Sequence, residues 1–278
     1  MQIIRSKAEM IATTKAWQAA GETVCLVPTM GGIHAGHLAL IATARATATR
    51  SVVSIYVNPT QFAAGEDFDS YPRNFDADCA AITQAGGCDA IYAPVNMYED
   101  DDTTTIHPAN AAKVMEGVNR PHFFIGVATI VYKLFTHVSA EFAIFGEKDF
   151  QQLLVIREMV RDYNLPIRII DHPTIRERDG LAMASRNQYL TPDERKTAPQ
   201  LYGEMRRAGD AIMANMPVNE ALDAARENLQ NAGFGKIDYF DLRQPDDLQA
   251  SLDAAPENRI FVAIWLGSTR LIDNCTLA

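Results

Sequence analysis

The sequence has few cysteines and no motif that would pair them. Its four cysteines, Cys25, Cys79, Cys88 and Cys275, are scattered along 278 residues, and no C-x-x-C pair occurs. Free thiols in a reducing compartment are therefore favoured over a disulfide framework or a zinc site.

Long hydrophobic runs and an excess of basic charge are also lacking. The longest apolar run, IFVAIWL at 260–266, is far too short to span a bilayer. Charged residues interrupt the first segment, MQIIRSKAEM, so it does not resemble a secretory signal. We therefore expect a cytoplasmic protein. The formal net charge of −10 argues against general nucleic-acid binding but leaves a small phosphorylated ligand possible.

Strand and helix patterns alternate through the first part of the chain. Short apolar runs predict strands at 22–29, 51–59, 88–94, 142–147 and 165–171, and helical patterns lie at 36–50, 75–87, 126–138 and 149–164. This alternation predicts an α/β fold, with a Rossmann-like, mostly parallel sheet covered on both faces. The acidic run EDDDTTT at 99–105 is read as a solvated loop, with a cation site as the lesser alternative.

The pattern changes near residue 173. Thr191, Pro192 and Glu194 form an N-cap, a first-turn proline and a capping box, which predict a helix over 191–212. A second helix is predicted at 218–233, and strands at 237–244 and 259–267. We expect a Rossmann-like domain over 1–173 and a smaller α+β lid domain over 174–278.

The segment PTMGGIHAGHLALI at 28–41 carries the clearest chemical signal. It places His34 and His37 in a glycine-rich turn between a strand and a helix. Glycines let the backbone approach an anion, and a helix N-terminus attracts one. Imidazoles can donate hydrogen bonds to phosphoryl oxygens. The spacing is H-x-G-H, distinct from G-x-G-x-x-G and from a P-loop; two surface histidines at a helix start are the alternative.

Other polar groups follow predicted strands. Lys148 in FGEKDFQQL could bind phosphate or be a surface lysine. The segment at 176–190 could close over a triphosphate through its arginines, Arg176, Arg178 and Arg186, or be a solvated linker.

The amides at strand ends allow two interpretations. Asn58, Gln61, Gln151 and Gln152 could hold a small polar substrate. They could equally cap helices, which is the commoner role of an Asn before Pro.

Several of these segments together resemble one family. The motifs are PTMGGIHAGH, SIYVNPTQF, DFDSYPRNFDAD, EGVNRPHFFIGVAT, FGEKDFQQL, PTIRERDGLAMASRNQYL and LGSTRLIDN, in order from residue 28 to 274. They are similar to the pantothenate synthetases (pantoate–β-alanine ligases), a family of the H-x-G-H nucleotidyltransferase superfamily.

The resemblance implies a cytoplasmic, homodimeric ligase. Pantoate would react with ATP to give pantoyl adenylate and pyrophosphate, and β-alanine would then give pantothenate and AMP. Mg²⁺ would arrive with ATP as a cofactor, and no metal-ligating residue is predicted. No nucleic-acid or membrane partner is expected.

The resemblance also assigns residues to roles. The catalytic set is His37, as the proton donor, with His34, Lys148 and Arg186. The ATP-binding set is Met30, Gly31, Gly32, Ile33, His34, Ala35, Gly36, His37, Gly146, Glu147, Lys148, Asp149, Ile175, Met183, Ala184, Ser185 and Arg186. The pantoate and β-alanine set is Gln61, Gln152, Asn58, Tyr71 and Arg120.

Three positions depart from the family pattern. Ala184 stands where the family usually has Ser, and Ala35 where it often has Glu. In RPHFFIG the histidine is shifted to His122, and Phe123 takes its usual place. We expect these changes to affect ATP affinity and the lid, and to leave the reaction intact.

Two alternatives remain open at this stage. One is a nucleotidyltransferase of the same fold with a different acceptor. The other is a nucleotide-binding sensor without turnover, for which Ala184 and Phe123 are the supporting features.

Overall fold

The computed structural model describes residues 1–277, which divide into two compact units. The first contains Met1–Glu147 and Gln152–Pro173, and the second contains Lys148–Gln151 and the chain from Thr174 onward. The predicted boundary after residue 173 coincides with one junction of this division. The short insertion at 148–151 has no counterpart in the sequence-based prediction.

The first unit contains a parallel sheet. Its strands are β1(Gln2–Ile4), β2(Val24–Thr29), β3(Arg50–Ile55), β4(Ala90–Tyr92), β5(Phe142–Gly146) and β6(Arg168–His172). Within the described residues they lie in the order β1-β4-β3-β2-β5-β6, and each pairing is parallel. The predicted Rossmann-like α/β architecture is confirmed, although the sequence reading overlooked β1.

Helices follow or precede these strands along the chain. They are α1(Lys7–Ala19), α2(Ala35–Thr47), α3(Phe75–Gln84), α4(Glu116–Asn119), α5(Phe123–Val138) and α6(Phe150–Asp162). Side chains that accept a backbone N–H define three of the starts: Ser6 for α1, His34 for α2 and Asn74 for α3.

Helices pack on both faces of the sheet. On one face, Ile41 of α2 and Ile82 of α3 share an apolar cluster with Val27 and Val53. On the other face, the ring of Phe135 in α5 meets Phe145 edge-on, with centroids 6.3 Å apart. A strand that is buried on both faces has apolar residues at successive positions. The alternation of polar and apolar residues that is typical of half-buried strands is therefore absent from these sequences.

The strand order creates a switch point. From β2 the chain passes to β3 and then β4 on one side, and it returns to place β5 on the other side of β2. Ligands in open α/β sheets bind in the crevice at the carboxyl ends of the strands where the order reverses. The turn after β2, which contains the two histidines, therefore leaves the sheet at the expected position.

The second unit pairs helices with an antiparallel sheet. The strands β7(Ile237–Arg243), β8(Arg259–Leu266) and β9(Thr269–Thr276) are antiparallel neighbours, and the helices are α7(Pro192–Thr197), α8(Gln200–Met213) and α9(Val218–Asn231). Leu201, Met205, Leu229 and Phe240 belong to its apolar core. The predicted α+β class is confirmed.

Two details of the second unit differ from the prediction. The capping box of Thr191 and Glu194 forms as expected, but the helix predicted over 191–212 is divided into α7 and α8. Pro199 lies at the division, because a proline cannot donate the backbone hydrogen bond of a helix interior. Strand β9 was missed because polar residues such as Asp273 and Asn274 interrupt its apolar pattern while lying buried.

Three smaller expectations concern thiols, membranes and charge. The four cysteines are free, and burial raises the pKa of both Cys25 and Cys88 to about 12. No helix within residues 1–277 combines the length and apolarity needed to cross a membrane. The acidic run at 99–105 is an exposed loop.

Gly126 in α5 lies against the backbone of the short 3₁₀ turn Pro59–Gln61. A Cβ built at Gly126 would be 2.4 Å from the Thr60 carbonyl oxygen, so Gly126→Ala should force the two segments apart. We expect a loss of about 1–3 kcal/mol in the free energy of unfolding, measured by denaturant titration.

Gly203 in α8 is the matched control for Gly126. No atom lies within 4 Å of a Cβ built there, and the residue is inside a helix. Gly203→Ala should therefore stabilise the protein by about 0.5–1 kcal/mol. Equal effects of the two alanines would show that the close contact at Gly126 is unimportant.

His137 in α5 should make stability depend on pH. It is 6% exposed, its Nδ1 is 2.8 Å from the Tyr92 hydroxyl, and burial lowers its pKa from 6.5 to about 4. Between these two pH values the unfolded chain binds a proton that the folded protein does not. Stability should therefore fall as pH falls through this window, by on the order of 1–3 kcal/mol.

The measurement is urea unfolding at pH 7, 6, 5 and 4. His137→Gln, which cannot be protonated, should have a shallower slope than the parent, and His107→Gln, at an exposed site, should match the parent. If the His137→Gln slope equals the parent slope, His137 is not the group that titrates.

Candidate active site

The turn after β2 reverses the chain within a few residues. Gly31 and Gly32 both have positive φ, of 88° and 62°, a conformation that side chains disfavour. The Gly31 N–H donates to the Thr29 hydroxyl at 3.2 Å, and that hydroxyl donates to the Ser54 carbonyl of β3 at 2.6 Å. The turn is thus anchored to the neighbouring strand.

A second anchor comes from α3. The buried carboxylate of Asp78 accepts the N–H of Gly32 at 3.1 Å and the N–H of Ile33 at 2.8 Å. Sequence reasoning expected the glycine-turn backbone to approach a bound anion. In the structure two of its amides donate to a carboxylate of the protein itself, and anion binding by this backbone stays a prediction.

His34 is the N-cap of α2. Its backbone is extended, with φ −131° and ψ 175°, and its Nδ1 accepts the Gly36 N–H at 3.1 Å. In a neutral imidazole one nitrogen accepts and the other carries the proton. The cap therefore selects the tautomer with hydrogen on Nε2, which leaves an N–H donor on the far side of the ring.

His34 and His37 form a stacked pair. Their ring centroids are 4.0 Å apart with an interplanar angle of 27°, and both residues are partly buried. The expectation that positions i and i+3 point the same way is confirmed. Two imidazolium ions this close would repel, so the stack disfavours simultaneous protonation of both rings.

The segment after β3 contains the two predicted substrate amides. Asn58 caps the 3₁₀ turn Pro59–Gln61 by accepting from Thr60, and it also accepts from the Tyr98 hydroxyl at 2.8 Å. Its Nδ2 donates to Gln61 Oε1 at 3.2 Å. These contacts agree with the capping interpretation of Asn58. An effect of Asn58 on a substrate would act through Gln61.

Gln61 connects the loops that follow two neighbouring strands. It is 8% exposed, and its Nε2 is 3.0 Å from the Met30 sulfur. Met30 immediately follows β2, whereas Gln61 follows β3. The structure therefore brings a predicted nucleotide-binding residue against a predicted pantoate-binding residue.

Arg120 is also hydrogen-bonded to Gln61. It makes a bidentate ion pair with Glu66, at 2.7 and 2.6 Å, and donates to the Gln61 carbonyl at 3.1 Å. Burial would raise the pKa of Glu66, but the hydrogen bonds from Arg120 and the Ala63 N–H hold it below its ordinary value. The charge of Arg120 is thus compensated by a protein carboxylate.

The unusual Phe123 belongs to the same arrangement. The guanidinium of Arg120 lies over its ring, 4.0 Å from the centroid. A cation–π contact of this kind orients the guanidinium of Arg120. The departure noted in the sequence therefore has a local structural role.

Other predicted residues of the first unit lie in a loop, at the end of a strand and in a helix. Tyr71 is buried, with its ring edge-on to Phe62 at 5.8 Å between centroids. Gly146 ends β5, Glu147 follows it, and Gln152 lies in the first turn of α6.

In the second unit, β9 fixes the backbone of Lys148. The Lys148 carbonyl accepts from Nδ2 of Asn274 at 2.9 Å, and Asn274 Oδ1 accepts from Arg259 at 3.0 Å. The Lys148 ammonium is 3.8 Å from Asp149 Oδ1. In the sequence Asn274 was noted only as part of a motif. In the structure its side chain holds the backbone of Lys148 in place.

Arg176 binds residues of the second unit itself. It makes a bidentate ion pair with Asp273, at 2.6 and 3.0 Å, and stacks 3.7 Å over the Tyr202 ring. The Arg176 guanidinium thus fixes the loop at 176–182 to β9, and a contact of this loop with a triphosphate stays a prediction.

The other predicted residues of the second unit form two local groups. The Met183 N–H donates to the Ile175 carbonyl at 3.0 Å, which places these two residues side by side. Ser185 and Arg186 begin the 3₁₀ turn Ser185–Tyr189, and Ala184 lies at its N-cap without a side-chain cap bond. An alanine cannot supply that bond, whereas a serine could.

Asp78 is the residue beside this turn that sequence reasoning missed. It was visible only as an acidic residue in the first turn of a helix, which is a common position for one. Its burial and its two backbone contacts depend on the packing of α3 beside the turn. No cluster of three or more His, Cys, Asp or Glu side chains suited to a metal occurs in the part of the chain described.

Comparisons with known proteins agree on one family. The family model described as pantoate-beta-alanine ligase matches residues 2–276. A pantothenate synthetase of Hyphomonas neptunium is 47% identical over 284 residues, which cover 100% of this chain and 97% of the relative. One from Caulobacter vibrioides is 46% identical over 278 residues, covering 98% and 97%.

Solved structures give the same result. A pantothenate synthetase of Thermus thermophilus has a TM-score of 0.93 at 40% identity, covering 100% of this chain and 99% of that one. A pantoate-beta-alanine ligase of Francisella tularensis, complexed with beta-gamma ATP and beta-alanine, has a TM-score of 0.84 at 30% identity, covering 100% and 98%.

The two functions of His34, cap and donor, can be separated by substitution. Asn is among the best N-cap residues, so His34→Asn should keep the start of α2 while removing the imidazole. His34→Ala should lose both, at a cost of about 1 kcal/mol in the free energy of unfolding. The measurements are thermal unfolding and pantoate-dependent exchange of pyrophosphate into ATP.

We expect His34→Asn to unfold like the parent and to exchange as slowly as His34→Ala. If His34→Asn exchanges at the parent rate, the ring serves only as a cap. If it is as unstable as His34→Ala, the cap assignment is wrong.

Proposed function

The chain belongs to the pantoate–β-alanine ligase family, and we propose that it carries out the ligation where β2 and β3 end. It is an ATP-dependent ligase that condenses pantoate with β-alanine, giving pantothenate, AMP and pyrophosphate. The observation that supports this site best is the stacked pair His34 and His37, held at the switch point of a parallel sheet.

The chemistry requires two steps. A carboxylate does not react readily with an amine, because its oxygen is a poor leaving group. The pantoate carboxylate therefore attacks the α-phosphorus of ATP, a P–O bond forms, and the bond to the bridging oxygen breaks to release pyrophosphate. The amine of β-alanine then attacks the carbonyl carbon of pantoyl adenylate. The C–O bond to AMP breaks, and the nitrogen loses a proton.

The two imidazoles have different tasks in this proposal. His34, with its proton on Nε2, donates a hydrogen bond to a phosphoryl oxygen. His37 carries the positive charge or proton that the first step needs as negative charge develops on the pyrophosphate. Donors already oriented by a helix start need little rearrangement when that charge appears.

Pantoate is proposed to bind next to this pair. Gln61 offers an amide at the Met30 contact, and Gln152 and Tyr71 are further candidates. Asn58 and Arg120 support this arrangement indirectly, because both are hydrogen-bonded to Gln61.

The ATP contacts of the second unit remain predictions. Lys148 and Arg186 are proposed to bind phosphates as cations, and Ile175, Met183, Ala184 and Ser185 to contact the nucleotide. The role of residues 174–278 as a lid domain is likewise a proposal. Mg²⁺ is proposed to enter with the triphosphate, whose oxygens are hard ligands that this ion prefers.

Oligomeric state and compartment rest on the family alone. We propose a homodimer in the cytoplasm. Sedimentation of the purified chain at several concentrations tests the first part, because a monomer at micromolar concentration would contradict it.

The decisive functional test measures AMP formation with each substrate omitted in turn. AMP should form only when ATP, pantoate and β-alanine are all present, and pyrophosphate exchange into ATP should require pantoate. His37→Ala should lower the exchange rate by roughly 10²- to 10⁴-fold, the range typical of a positioned proton donor. His107→Ala, at an exposed histidine, is the control and should keep the parent rate.

Other results would identify the alternatives. Exchange that does not need pantoate would indicate a nucleotidyltransferase with another acceptor. ATP binding without AMP release under any combination would indicate a sensor. A parent rate in His37→Ala would remove that residue from the mechanism.

A further inference from the structure

We propose that Asp78 is a positioning residue for the histidine pair, acting through the glycine turn. This inference rests on the proposed function of His34 and His37. Asp78 does not touch the reacting groups in this proposal. Its carboxylate fixes the backbone from which α2, and therefore both imidazoles, begin.

The contacts of Asp78 are specific to the turn. The residue is 5% exposed and lies in the first turn of α3, after the N-cap Asn74. Its two oxygens receive separate N–H groups, Oδ2 from Gly32 and Oδ1 from Ile33. Hydrogen bonds to an ionised acceptor are about twice as strong as neutral ones. One side chain thus fixes two successive peptide units immediately before His34.

The turn is built to accept this carboxylate. A Cβ at Gly31 would lie 2.9 Å from Asp78 Oδ2, so the close approach requires glycine at that position. Positive φ at Gly31 and Gly32 directs the next amides towards α3. On the opposite side, Thr29 and Ser54 hold the start of the turn. The backbone is therefore fixed from two elements.

Loss of the carboxylate would leave Gly32 and Ile33 without their acceptor. The turn would then relax to find other partners, and the start of α2 would move with it. A displacement of about 1 Å in a catalytic group can lower a rate by about 10²-fold. The effect should therefore appear in the chemical step. Binding of ATP should change little, because in this proposal the two amides face Asp78 and not the nucleotide.

Asp78→Asn tests the inference with the smallest change of shape. An amide has one acceptor oxygen, so its NH₂ group would face an N–H donor. We expect kcat for pantoate-dependent exchange to fall by about 10²-fold and KM for ATP to change by less than about threefold. Asp76→Asn, an exposed neighbour in the same helical turn, is the control and should keep both values.

A double-mutant cycle tests whether Asp78 acts through the histidines. If it does, Asp78→Asn in a His37→Ala background should cost less than about threefold more than His37→Ala alone. Multiplicative losses, or an unchanged kcat in Asp78→Asn, would overturn the inference. An unaffected His37→Ala would instead contradict the proposed function, so the two failures can be distinguished.

Amide exchange in the parent protein provides a test that does not require a variant to fold. The Gly32 and Ile33 amides should exchange slowly with solvent, and an ATP analogue should not alter their protection. Exchange as fast as in an unstructured peptide would overturn the inference, and so would protection that appears only when the analogue binds.

Discussion

Two backbone N–H groups in the turn after β2 donate to one buried carboxylate, and the geometry of the candidate site depends on this constraint. The turn reverses direction through two glycines with positive φ, Gly31 and Gly32, and Asp78 fixes the result from α3. His34 follows directly and begins α2, and His37 lies one turn further on. The sheet determines where the candidate site lies, because the strand order reverses at β2. The turn determines how the two imidazoles are oriented.

The same turn places the side chains of His34 and His37 in different surroundings. The N-cap bond from Gly36 fixes the tautomer of His34, and stacking places His37 against it. One short segment therefore presents a ring N–H donor, on His34, beside a second imidazole, that of His37. Gln61, which contacts Met30 after β2, is held by Asn58 and by Arg120, whose own charge is balanced by Glu66. Many of these hydrogen bonds and ion pairs fix the positions of a small number of side chains.

The sequence predicts most of the fold because its signals are local. Alternating strands and helices, the capping box at Thr191 and the glycine-rich turn all follow from neighbouring residues, and their positions agree with the structure. The failures involve contacts between distant segments. Asp78, Asn274 and Arg176 each contact residues far away in the chain, and Arg176 proved to be bound by Asp273. Strand β9 was missed for the same reason, because its polar residues are buried by partners that a single sequence does not reveal.

The proposed function depends on one contact, that of the His34 and His37 imidazoles with the phosphates of ATP. The most direct measurement is ¹⁵N NMR of the histidine rings, with a non-hydrolysable ATP analogue added stepwise. We expect His34 to have its proton on Nε2 before addition, and the ¹⁵N resonances of both the His34 and His37 rings to shift in proportion to the analogue bound. Saturation binding of the analogue with neither ring responding would contradict the account.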